Sequence, residues 1–312
     1  MKSLGFFEDF CDHLIRKYGD PISSTEDQKA EEFRRRYLRD LPINQKSIMA
    51  ITSCLDIKLK GLERMPRNVR GYHEICGGEK CLYYRLDDTP SGIQNTILHE
   101  IREMMETLFA RVKPDYTPLK TSARHIAANR FASAVLLPEE KFRDRAFETG
   151  LDVVALSQMF SKSHAQILLR IGEVLQGRLF FYGALYEPDD AEGEDWAVTY
   201  WTGSQNGETK PGLFDMGGPF PKKGRRALPG SLVDMAVKTR MPHLSGKITL
   251  NRAWNFNDEG FIALAQPILE TGTGVEKVAL IVMKASDRGL LKPQIDSTKP
   301  ITLEDIPASF GG

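Results

Sequence analysis

The stretch that decides the reading is TILHEIREMMETLF, residues 96–109. Its apolar residues return every three or four positions, the period of a helix with one buried face. On such a helix, residues four apart lie on one side with Cβ atoms about 5 to 6 Å apart, so His99 and Glu103 can hold one ion together. Glu100, one position on, is turned about 100° away and is free to act on a water. With six histidines in the chain, His-Glu-x-x-Glu would arise by chance in about four chains in a hundred. The decision therefore passes to the next helix.

Working outward, KPDYTP breaks the chain at Pro114 and Pro118, and Thr121 or Ser122 can cap a helix ARHIAANRFASAVLL that Pro138 stops. Upstream, residues 4–18 and 25–39 read as helices, the second (EDQKAEEFRRRYLRDL) as a mostly solvated, charged one. A third helix from Ile43 leads to a short strand DIKLKGL and a hairpin GYHEI/CLYYRL, and the long helix runs from about Ile93 to Arg111. The CGGEKC segment at the hairpin reads as a Gly-Gly turn, because a zinc knuckle needs a second cysteine pair.

Three short helical segments follow, EEKFRDRAFETG, LDVVALSQMF and SHAQILLRIGEVL. They resemble a helix-turn-helix, but the last lacks the Arg, Lys, Asn and Gln cluster that reads bases, which favours a packing role. From Gly177 the texture changes to strands and loops. RLFFYGALYE, WAVTYWTG, FIALAQPILETG and EKVALIVMKA read as strands, the last two joined by a Gly-containing turn, with a helix SLVDMAVKTR between the pairs.

The helix RHIAANRFASAVLLP resembles the second conserved segment of the ImmA/IrrE family of zinc metallopeptidases. There a glutamate ligand stands four residues before an Asn, and an apolar run closes in Leu-Leu-x-Pro or similar. Here the Asn is Asn129, the run is FASAVLLP, and His125 stands where the family places its glutamate. The first helix departs in the complementary sense, with Glu103 where the His-Glu-x-x-His motif has its second histidine. Two ligands have exchanged places while the inventory of two histidines and one carboxylate is kept, a set zinc accepts because it has no d-electron preference for geometry.

The resemblance implies one zinc per chain held by His99, Glu103 and His125, Glu100 as general base, and Asn129 as a supporting residue. The oxyanion stabiliser is not identified by the motif; His73, Tyr83 and Tyr84 on the hairpin are candidates. Glu106 reads as an exposed helical acid, with an additional metal contact as the other reading. His13, His164 and His243 have no companion residues and read as structural.

The expected architecture is α+β: a zincin-like peptidase domain over 1–138, a helix-turn-helix-like bundle over 139–177, and a domain over 178–312 that resembles a GAF domain. The family likeness spans about Ile43 to Gly177. It implies a regulatory protease whose partner is a helix-turn-helix repressor of stress-response or mobile-element genes, with a small-molecule ligand in the C-terminal domain. The alternative is a non-catalytic, ligand-sensing regulator built on a protease-like fold.

Composition bounds these expectations. Lys plus Arg and Asp plus Glu both number 42, so no overall field draws the chain to nucleic acid or an acidic membrane, and direct DNA binding is disfavoured. No run reaches the roughly 18 apolar residues of a membrane span, and acids interrupt the opening MKSLGFFEDFCDHL. Four scattered cysteines fit a reducing compartment, and the expected location is cytoplasmic.

Overall fold

The computed structural model describes residues 5–39, 43–66, 69–176, 178–189, 195–204, 221, 223–245, 260–269, 274–291 and 301–302. The protein is mixed α+β with two sheets and divides into two compact units, Met1–Glu139 and Glu140–Gly312.

In the first unit, α1 (Phe6–Tyr18) buries Phe7, Phe10, Cys11 and Leu14, one helical face. α2 (Glu26–Phe33) starts at a reciprocal cap: Gln28 N donates to Thr25 Oγ1 at 3.2 Å and Thr25 N to Gln28 Oε1 at 2.8 Å. It ends in a π-helical turn, Arg34–Leu38, and α3 (Gln45–Cys54) opens with the same box on Asn44 and Ser47. β1 (Ile57–Leu62), β2 (Gly71–Cys76) and β3 (Glu79–Arg85) form a sheet in the order β1-β3-β2, with β3 parallel to β1 and antiparallel to β2. Gly77 and Gly78 both have positive φ, +58° and +92°, as a two-residue turn matched to strand twist requires, so CGGEKC is a hairpin tip. Cys76 is exposed and Cys81 buried.

α4 (Pro90–Val112) begins one turn earlier than the apolar periodicity indicates. Thr89 Oγ1 accepts from Gly92 N at 3.1 Å and Pro90 occupies the first turn, where its missing N–H costs nothing. α5 (Thr121–Leu136) is entered through Lys120; Thr121 and Ser122 stand inside the helix and do not cap it. α4 and α5 run antiparallel, Glu106 meeting Leu119 at one end and His99 meeting Asn129 further along.

Three sequence expectations are corrected here. α2 is not a solvated charged helix, and Glu106 is not an exposed acid: Lys29, Arg102 and Glu106 are each 1% exposed. Lys29 Nζ binds Glu26 at 2.9 Å, Glu26 takes Arg102 Nε at 2.6 Å, and Arg102 Nη1 meets Glu106 at 2.6 Å. Glu106 also accepts from Tyr116 Oη at 2.7 Å and Leu119 N at 2.9 Å. Two acids and two bases thus neutralise one another away from water, the condition under which buried charge is tolerated. Burial pushes the Glu26 carboxyl up, but Arg102 and Lys29 outweigh it and hold the group below its usual range. His13, read as companionless, lies 2.9 Å from Glu32 Oε2.

In the second unit, α6 (Glu139–Glu148), α7 (Val153–Phe160) and α8 (His164–Leu175) precede the larger sheet. Its strands are β4 (Phe181–Pro188), β5 (Trp196–Ser204), β6 (His243–Leu244), β7 (Phe261–Leu269), β8 (Val275–Lys284) and β9 (Ile301–Thr302), with α9 (Leu232–Thr239) between β5 and β6. The order is β5-β4-β8-β7-β6-β9. Alternation along β4 assigns its two faces. Tyr182, Ala184 and Tyr186 join a core with Val233 and Ala236 of α9, whereas Gly183 lies against Leu168 of α8 and Phe181 against Gly172. α8 therefore gives its apolar face to the sheet, which suits the packing reading of the helical triplet. His243 Nε2 lies 2.7 Å from Thr239 Oγ1. The Gly/Pro/Lys stretch after β5, for the most part, and the turn between β7 and β8 lie outside the described residues.

Candidate metal centre

The site forms where α4 faces α5 and the β2 strand. His99 and Glu103, one turn apart on α4, place Nε2 and Oε1 3.3 Å apart. His125 of α5 brings Nδ1 to 3.6 Å from the same oxygen, and the two imidazoles meet edge-on with centroids 4.5 Å apart. One ligand atom from each of the three lies within 4.8 Å of the others. Around a tetrahedral ion with bonds near 2.1 Å, neighbouring ligand atoms stand roughly 3.4 Å apart, so the donor set fits one small cation.

His99 Nδ1 lies 3.0 Å from Asn129 Oδ1. A carbonyl oxygen only accepts, so Nδ1 donates to it, and Nε2 is the nitrogen turned toward Glu103. The hydrogen bond with His99 holds the Glu103 carboxyl down at about 2, with burial opposing and the charges of His99, Arg124 and His73 adding to it. Glu103 is thus an anion across the ordinary pH range. The His99 and Glu103 side chains are 10% and 15% exposed and that of His125 is 63% exposed, so the cluster opens to solvent on the α5 side.

Glu100 points elsewhere, its Oε2 2.7 Å from His73 Nδ1 on β2. His73, Glu100 and Glu103 form a second group of close ligand atoms beside the first. The strand reaches the helix because residue 71 is glycine: a Cβ there would stand 2.3 Å from Thr96 Cγ2. Of the three hairpin residues considered as oxyanion stabilisers, only His73 is brought to these carboxylates. Tyr83 points to the other face, stacked on Tyr72 at 4.5 Å with its hydroxyl 3.3 Å from Glu74. The Tyr84 hydroxyl is directed at Gly61 of β1. Sequence reasoning also passed over Arg124, whose Nε lies 3.6 Å from Glu103 Oε2. Its adjacency to His125 was the available signal.

The candidate ligands sit on a helix backed by a three-stranded sheet and a second helix. Residues 53–171 match the family model of the IrrE N-terminal-like domain, a peptidase family. No curated protein matches the chain. Among solved structures it is similar to a Mycobacterium tuberculosis transcriptional regulator at 13% identity, with a TM-score of 0.55, covering 95% of this chain and 87% of that one. That likeness is one of fold.

Proposed function

We propose that the protein is a zinc-dependent regulatory endopeptidase that cleaves a helix-turn-helix repressor and so switches on a stress or mobile-element response. One observation carries this reading: His99, Glu103 and His125 converge from two helices, with His99 held by Asn129. His99, Glu103 and His125 would hold the zinc, one per chain. A zinc ion held there would supply a Lewis acid to polarise the scissile carbonyl. Glu100, fixed by His73 at 2.7 Å, takes a proton from the attacking water and returns it to the leaving amine. The matched peptidase domain supports the hydrolase, and the regulator named among the similar structures supports the regulatory role.

We assign 1–138 to the peptidase domain, 139–177 to a helical bundle and 178–312 to a GAF-like domain with a small-molecule ligand. Two-sided packing of the six-stranded sheet by α8 and α9 supports the last. All four cysteines are free thiols, which supports a cytoplasmic location; no described helix is long and apolar enough to cross a membrane. The second reading, a non-catalytic ligand-sensing regulator on a protease-like fold, draws on Glu103 standing where the His-Glu-x-x-His motif has its second histidine.

The test is to incubate the zinc-loaded protein with a helix-turn-helix repressor encoded beside it. The enzyme reading requires a discrete cut that Glu100→Gln abolishes while zinc stays bound. An uncut repressor that still binds the protein supports the second reading.

A further inference from the structure

We infer that Arg124 is the positioning residue of the exchanged site: by engaging one oxygen of Glu103, it leaves the carboxylate to offer a cation the other oxygen alone. The inference rests on the metal centre proposed above. The two oxygens of Glu103 are already divided between different neighbours. Oε1 faces His99 Nε2 at 3.3 Å and His125 Nδ1 at 3.6 Å, whereas Oε2 faces Arg124 Nε at 3.6 Å. A histidine ligates through one atom, but a carboxylate can close on a cation with both oxygens and crowd the position a substrate needs. A hydrogen bond from Arg124 to Oε2 would remove that choice.

Arg124 is suited to this task. A guanidinium has donors and no lone pair, so it cannot itself become a ligand. Its Nε is buried and has no hydrogen-bond partner, although Oε2 lies beside it. Closing to the usual N–H···O length of about 2.9 Å would satisfy a donor that is otherwise desolvated and unmet.

Two accounts of Arg124 differ in sign. As a mere neighbouring charge it repels a cation, and removing it tightens binding. As the group that orients Glu103 it favours binding, and removing it weakens affinity about 10- to 100-fold. The full-length protein, stripped with a chelator, is titrated with Zn²⁺ against a competing indicator and with Co²⁺ read by visible absorption. Wild type, Arg124→Met and Arg124→Lys are compared, with folding checked by melting the metal-free proteins.

The inference predicts that wild type binds one equivalent with the intense absorption of four-coordinate cobalt. Arg124→Met, which keeps the packing of the stem, loses about 10- to 100-fold in affinity and shifts to the weaker absorption of a five-coordinate ion. Arg124→Lys, which retains a donor, recovers part of both. Unchanged or tighter binding by Arg124→Met with an unchanged spectrum overturns the role of Arg124 and leaves the metal centre standing. A wild-type protein that binds no cation overturns both.

Discussion

The Asn129 amide oxygen stands 3.0 Å from His99 Nδ1, on the ring edge opposite the nitrogen that faces Glu103. This single contact fixes the ring orientation with Nδ1 as donor, and it reaches across from α5, the helix that also carries His125. The two helices are thus tied together by the same side chains that define the site.

Asn129→Ala removes that acceptor and lets the imidazole turn or change tautomer. Zinc affinity, measured by chelator competition, is expected to fall about 10- to 100-fold, with little loss of thermal stability in the metal-free protein. Asn129→Asp, which keeps the acceptor, is expected to retain binding.

The buried network beneath the site yields a stability prediction. Arg102→Met leaves Glu26 and Glu106 facing each other without their shared cation. Removal of one partner from a buried ion cluster costs about 3 to 5 kcal/mol, to be read as a lowered midpoint in urea unfolding.

Acid sensitivity should include a contribution from Glu32. Burial raises its carboxyl, but hydrogen bonds from Lys17, Arg35 and His13 hold it at about 2 against an ordinary 4.5. A depressed folded-state value means that the stabilisation is fully present above 4.5 and is lost as pH falls from there through about 2. Unfolding free energy measured from pH 6 downward should therefore decline less steeply in Glu32→Gln than in wild type. Parallel curves would remove Glu32 from the account.

Gly71 sets how closely β2 lies on α4. A methyl group there meets Thr96 Cγ2 at 2.3 Å and the backbone oxygen of Tyr83 at 2.8 Å. Gly71→Ala should cost about 1 to 3 kcal/mol by overpacking. Adding Thr96→Ala should restore only part of this, because the Tyr83 carbonyl cannot be trimmed.

Much of this was legible in the sequence because its signals are local. The helix period placed His99 and Glu103 on one side, and the four-residue offset of His125 from Asn129 put both on the facing helix. Gly77-Gly78 marked the hairpin, and short apolar runs separated by loops marked β4, β5, β7 and β8. What escaped depended on contacts distant along the chain. Arg102, one turn before Glu106, was a visible partner, but nothing near it shows that Tyr116 and Leu119 close over the same carboxylate. The charged run of α2 looks solvated until Lys29 and Glu26 are seen to neutralise groups from α4. His73 met Glu100 through a glycine two residues away, whose significance lies in what stands opposite it.

The most direct measurement is the zinc content of the purified protein at equilibrium with a weak chelator, for wild type, His125→Ala and Glu100→Gln. One zinc per chain in wild type and in Glu100→Gln, with loss in His125→Ala, is the predicted result. A wild type without stoichiometric metal, or a His125→Ala protein that holds zinc as tightly as wild type, would contradict a site shared between these two helices.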